Sequence, residues 1–194
     1  MGKIFYLMGK SSSGKDTIFK KVRERIPELK TIILYTTRPI REGETNGVEY
    51  YFTDEVKRAE LEKAGKLIES RSYDTVHGKW TYFTADDGQI DLAKESYLVI
   101  GTLVSYEKMK EYFGADVLEP IYIEVEDGER LCRALLRERQ QEQPKYAEMC
   151  RRFLADTEDF SEENLRKCNI THRYYNQNME ECMEEIVLCI REKL

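Results

Sequence analysis

Apolar residues along this chain gather in short runs, separated by charged stretches with a helical period. Residues 3–8 form one such run at the start of the sequence. An apolar run of this length predicts a strand covered on both faces. Glycines and serines then crowd residues 9–14, and residues 18–26 carry their charges on one side of a helical pattern. Residues 30–35 are β-branched and apolar and predict a second strand. Further strands are expected at 97–102, 120–125 and 170–175, and helices at 105–113, 127–141, 145–166 and 179–193. Strands alternating with helices argue for a parallel sheet with helices on both faces.

Residues 36–90 break this rhythm. They are rich in Thr, Tyr, Gly and charge, with a short alternating stretch at 49–53, a helix expected at 54–64 and a strand at 66–69. They read as an excursion with its own small sheet, inserted between strands of the main one. The polar stretch 140–144 ends in Pro144 and suits a mobile segment. No internal repeat or low-complexity tract interrupts the pattern.

Composition narrows the functional classes. The chain has 194 residues, which fits one domain, and its formal net charge is −6. An acidic overall field disfavours nonspecific binding to a nucleic-acid polymer or a membrane surface. A phosphate ligand would need a local cluster of positive groups instead. Five cysteines without CxxC spacing and two histidines argue against zinc or a disulfide framework, and for reduced thiols. No run is long and apolar enough to read as a signal peptide or a span, so a cytoplasmic location is expected.

The chemistry begins at Gly9-Lys10-Ser11-Ser12-Ser13-Gly14-Lys15. This GxxxxGK stretch follows an expected strand and opens an expected helix, the context of a phosphate-binding loop. Small residues let successive backbone N–H groups turn inward around phosphate oxygens, and the helix points its positive end at the same place. Lys15 can neutralise the β- and γ-phosphates. Asp16 stands where Ser or Thr usually meets Mg²⁺, and Thr17 follows. Thr17 is therefore the candidate for the phosphates and the metal, while Asp16 either helps to hold Mg²⁺ or weakens nucleotide binding. Further on, Arg38 and Arg41 lie three apart after a strand end. Paired guanidinium groups suit a second phosphate facing the first.

The segment Thr36-Thr37-Arg38-Pro39-Ile40-Arg41-Glu42-Gly43-Glu44-Thr45-Asn46-Gly47-Val48-Glu49-Tyr50 is similar to the guanylate kinase stretch TTRxxRxGExxGxxY. With the loop some 25 residues upstream, the chain resembles that family across nearly its whole layout. The resemblance implies an α/β P-loop NTPase fold of three layers: a parallel core sheet, an inserted small α+β acceptor-nucleotide-binding domain and a helical lid. The core would be residues 1–35, 91–126 and 167–194, the insertion 36–90 and the lid 127–166. It implies that Thr37, Arg38, Arg41 and Tyr50 hold the acceptor's monophosphate with Glu44 in support, and that Glu69 accepts hydrogen bonds from guanine. A carboxylate suits guanine because its N1–H and exocyclic amine are adjacent donors.

The resemblance also implies that lid arginines close over the transferring phosphoryl group. Among Arg130, Arg133, Arg137, Arg139, Arg151 and Arg152, spacing favours Arg137 and Arg152. Asn176 matches the family asparagine near adenine, joining Gly9, Ser11, Ser12, Ser13, Gly14, Lys15, Asp16 and Thr17 as the expected ATP site. Lys15, Arg38, Arg137 and Arg152 form the expected catalytic set, because phosphoryl transfer rests on positioning and charge stabilisation. The implied activity is transfer of the ATP γ-phosphoryl group to GMP with Mg²⁺, by a monomer or homodimer. The alternatives are a related kinase for another small acceptor and a non-catalytic guanylate-kinase-like binding module. The motifs thin out after residue 70. Leu34 replaces a family serine, Ile100-Gly101-Thr102-Leu103 replaces an acidic strand end, and His77-Gly78-Lys79-Trp80-Thr81-Tyr82-Phe83-Thr84 replaces the Tyr-Tyr-Gly-Ser that follows the glutamate.

Overall fold

The computed structural model describes residues 1–75 and 78–194. Strand β1 (Ile4–Met8) lies at the centre of a five-stranded sheet, and all five of its side chains are buried. Alternation sends Ile4, Tyr6 and Met8 to one face and Phe5 and Leu7 to the other. Burying both faces explains why the run shows no polar alternation.

The first face packs under α3 (Leu103–Phe113) and α6 (Glu162–Lys167), through Tyr106, Met109 and Leu165. The second packs under α1 (Lys15–Arg25) and α7 (Met179–Lys193), through Ile18, Val22, Ile186 and Ile190. Each such side chain contributes roughly 1.5–3 kcal/mol on burial. The strand order is β2-β7-β1-β8-β9, with β2 (Lys30–Thr31), β7 (Tyr97–Gly101), β8 (Leu118–Glu124) and β9 (Tyr174–Tyr175). All of its pairings are parallel. The chain leaves β1 at the carboxyl end of the central strand, where ligands of open parallel sheets bind.

A second sheet has the order β4-β3-β6-β5, with β3 (Tyr35–Thr36), β4 (Tyr51–Phe52), β5 (Leu67–Thr75) and β6 (Gly78–Ala85). Helix α2 (Glu55–Lys63) packs on it through Leu61, which meets Phe83 and Ala85. Helices α4 (Asp127–Arg139) and α5 (Tyr146–Asp159) follow β8.

Four expected elements are corrected. The run 30–35 is not one strand: β2 pairs with β7, Gln89 clamps the Ile33 backbone on both sides (2.8 and 3.2 Å), and the chain crosses to the second sheet as β3. The strand expected at 66–69 extends to Thr75 because β6 supplies a long antiparallel partner. The single helix expected over 145–166 is two. Phe160 is buried and stacks on Tyr122 at 5.5 Å, and Ser161 leaves the helical conformation to cap α6, accepting from the Asn164 N–H. The strand expected at 170–175 is reduced to Tyr174–Tyr175, while 179–193 is the closing helix as read.

Candidate active site

The loop between β1 and α1 is built by close approach. A side chain at Gly9 would press on the Ile123 carbonyl at 2.6 Å. Gly14 has φ +85°, and a Cβ there would lie 2.5 Å from Asn176 Nδ2. Both positions therefore exclude larger residues. Ser12 also takes a positive φ of 65°. Asn176 Nδ2 donates to the Ser13 carbonyl at 2.8 Å, tying the strand β9 end to the loop. Among the described residues, Ser13 Oγ and Asn176 Oδ1 are the buried side-chain polar atoms without a hydrogen-bond partner. Buried polar atoms left open at a functional loop are the places where a ligand or water completes the bonding.

A pocket of about 430 Å³ opens beside the loop, lined by Ser12, Gly14, Thr17, Arg133, Arg137 and Asn176, with Asp16 at its edge. Lys15 is largely buried, and its Nζ lies 3.7 Å from the exposed Asp16 carboxylate. From α4, Arg137 Nη2 donates to Ser12 Oγ (3.3 Å) and Arg133 Nη2 to the Asn176 carbonyl (3.2 Å). The buried Arg130 donates to the Ser11 carbonyl (3.0 Å), to Asp127 (2.9 and 3.0 Å) and stacks over Phe153 at 4.6 Å. Asp156 of α5 accepts from the Ser11 N–H at 2.6 Å. Sequence reasoning did not single out Asp127 or Asp156, because pairing of distant carboxylates with the loop leaves no local signal.

Arg152 is placed differently. It stands exposed on α5 and donates to Glu148 at 2.8 Å, and Arg151 pairs with the same carboxylate. The structure thus brings Arg137 to the loop pocket and holds Arg152 out on solvent. Arg139 is exposed as well.

The acceptor-side candidates gather on the second sheet. Arg38 is buried and grips Glu44 with both terminal nitrogens, at 2.7 and 2.5 Å. That bond holds the Glu44 carboxyl down at about 2. Glu44 also accepts from the Arg41 backbone N–H at 2.8 Å, leaving the Arg41 side chain exposed. The Arg38 guanidinium lies over the rings of Tyr50 and Phe52, 5.2 Å from each. Thr37 pairs with Thr81 through backbone and hydroxyl, both at 2.9 Å. Glu69 is buried and accepts from Thr84 Oγ1 at 2.7 Å, and burial raises its carboxyl above the usual range. Burial also raises the Tyr50 hydroxyl; Tyr82 and Asp16 push it the same way while Arg38 and Arg71 oppose them. Charges from beside the loop (Asp16), from the arginine segment (Arg38) and from β5 (Arg71) thus all act on the Tyr50 hydroxyl.

Residues 1–84 match the family model described as guanylate kinase. This N-terminal segment is thus similar to the guanylate kinase family. Among curated relatives, guanylate kinase from Frankia casuarinae is 51% identical over 63 residues, covering 32% of this chain and 34% of the relative. Guanylate kinase from Nostoc sp. is 42% identical over 72 residues, covering 37% and 36%. The chain thus spans about a third of the length of the curated relatives it matches. The crystal structure of guanylate kinase from Anaplasma phagocytophilum superposes with a TM-score of 0.69 at 22% identity, covering 99% of this chain and 86% of that one, which establishes the fold.

The departures from the guanylate kinase pattern have structural settings. Leu34 is a buried core residue, packed with Ile68 and Tyr6 among others. A Cβ at Gly101 would collide with the Tyr6 hydroxyl, so the strand end has no room for a longer side chain. In the stretch 77–84, Tyr82 lies opposite Arg71 and 5.7 Å from the Tyr50 ring, while Thr81 turns to Glu55 and Ser72 on the other face. His77 lies outside the described residues.

Proposed function

We propose that the chain transfers the γ-phosphoryl group of ATP to GMP, giving ADP and GDP. The observation that carries this reading is the presence of two phosphate-type groupings in one chain, the Gly9–Lys15 loop with its open Ser13 and Asn176 atoms and the buried Arg38 held by Glu44 over the Tyr50 ring. The ATP site is formed by Gly9, Ser11, Ser12, Ser13, Gly14, Lys15, Asp16, Thr17 and Asn176. Thr37, Arg38, Arg41, Glu44 and Tyr50 hold the acceptor phosphate, and Glu69 the base. Arg137 already reaches the loop and stabilises charge on the transferring group, and Arg152 joins on closure of α4 and α5 over the site. The domain division 1–35, 91–126 and 167–194 for the core, 36–90 for acceptor binding and 127–166 for the lid follows from the same reading.

Mg²⁺ accompanies ATP. Thr17 and Asp16 line the pocket edge and fit a cation held mainly by phosphate oxygens and water. The ion supplies charge neutralisation on the phosphates. No helix among the described residues is long and apolar enough to cross a membrane. The proposed setting is cytoplasmic, with small nucleotides as partners, as a monomer or homodimer.

The test is ADP release from ATP and Mg²⁺ with and without GMP, comparing wild type with Lys15→Ala. GMP-dependent turnover that falls at least about 100-fold in the variant is expected. ATP binding without GMP-dependent turnover would turn the reading to another acceptor, which Leu34 and Gly101 at the base end would then explain. Absence of nucleotide binding would favour a non-catalytic module.

A further inference from the structure

Strand β5 carries a group that the phosphoryl-transfer reading leaves unused. Glu69 and Arg71 are two residues apart past the irregularity at Ile68, so they stand on the same face of the sheet. Their cross-strand partners on β6 are Thr84 and Tyr82. Arg71 is largely buried, and Nη1 is spent on α3, donating to Thr102 Oγ1 at 2.8 Å and to Ser105 Oγ. Ser105 is fixed in turn by the Tyr6 hydroxyl at 2.5 Å and by its capping box with Thr102. The guanidinium is thereby locked in place. Among the described residues its Nη2 makes no hydrogen bond, and it lies 3.9 Å from Glu69 Oε1, too far for one. A fixed guanidinium nitrogen with no hydrogen bond of its own, beside a buried carboxylate with one oxygen bound to Thr84, is an arrangement that a ligand edge completes.

The chemistry of that edge follows. Glu69 offers an acceptor and Arg71 a donor side by side. Guanine presents the complement along one edge, the N1–H donor next to the O6 acceptor. Leu34 and Gly101 offer no side-chain donor to O6. We propose that Arg71, oriented by Thr102 and Ser105, donates through Nη2 to the O6 carbonyl of the acceptor purine while Glu69 accepts from its N1–H and amine. This rests on the GMP-acceptor reading above. Arg71 is then a specificity residue for 6-oxopurine monophosphates, and the Tyr6–Ser105–Thr102 network sets its position.

The test measures binding of GMP and of 6-thioguanosine monophosphate, whose sulfur is a weak acceptor, to wild type, Arg71→Met and Arg71→Lys. Wild type is expected to favour GMP by about tenfold, the scale for leaving a buried donor unpaired. Arg71→Met should lose that preference by weakening GMP at least tenfold and the thio analogue less than threefold; Arg71→Lys should retain part of it. A purely structural Arg71 would lower the melting temperature and weaken both ligands equally, which overturns the proposal. An unchanged preference in a folded variant overturns it too. Should Arg71→Met not fold, equal wild-type affinity for the two ligands overturns it. Failure of wild type to bind GMP removes the acceptor reading and this proposal with it, whereas GMP binding indifferent to Arg71 removes this proposal alone.

Discussion

Single atoms decide several positions here. Arg38 and Glu44 form a two-point charge pair in which the arginine is buried, so Arg38→Ala leaves a carboxylate without its partner. A loss of about 3 kcal/mol is expected by chemical denaturation. The pH dependence has a definite sign. The folded-state pKa of Glu44 lies at about 2, below its ordinary 4.5, so its stabilisation is present above about pH 4.5 and lost as pH falls toward 2. The stability gap between wild type and Glu44→Gln should therefore be full at neutral pH and shrink across that window. A gap constant from pH 7 to 2.5 would contradict it. At Gly101 the limiting atom is the Tyr6 hydroxyl. Gly101→Ala should cost about 2 kcal/mol. Tyr6→Phe removes the nearest contact and leaves the ring carbon at 2.8 Å, so the double variant should be more stable than additivity allows, and a double-mutant cycle measures the coupling.

Elements are set by what closes them. The break between α5 and α6 depends on the Ser161 side chain, which accepts from the Asn164 N–H where a continuous helix would have run. Ser161→Ala is expected to lower stability by about 1 kcal/mol, read from the denaturation midpoint at constant slope. A cap signal of this kind can be read in a sequence. It was outweighed here by the helical pattern running across residues 145–166, because periodicity does not reveal that Phe160 must turn in to stack on Tyr122. Strand β5 shows the reverse failure. Its residues beyond Glu69 are polar and charged, and only the partner strand β6 explains why they are strand at all. Reading the strand short also hid Arg71, whose two-residue spacing from Glu69 would otherwise have placed both on one face.

For the molecule as a whole, the proposed site is distributed over two sheets and the helices α4 and α5. A ligand that bridges them stabilises the assembly by its binding free energy. ATP alone and GMP alone should each raise the melting temperature by thermal shift, and Lys15→Ala should reduce the ATP shift while leaving the GMP shift largely intact. Equal loss of both shifts would mean that Lys15 supports the fold rather than the phosphates. The sequence by itself determined the parts whose physics is local. The Gly9–Lys15 loop is legible because glycine is needed where the backbone turns back on itself and approaches its neighbours. Strand β1 and helix α7 are legible because burial imprints an unbroken run or a 3.6-residue period. The Arg38–Tyr50 segment is legible because its charges and glycines fall at set intervals. Only the tertiary structure decided which arginines meet the loop, that Asp156 and Asn176 hold it, and that Tyr6 and Arg71 meet at Ser105 beside Glu69. Those contacts join residues far apart in the chain, where hydrogen bonds and charges are matched by packing and leave no periodic trace.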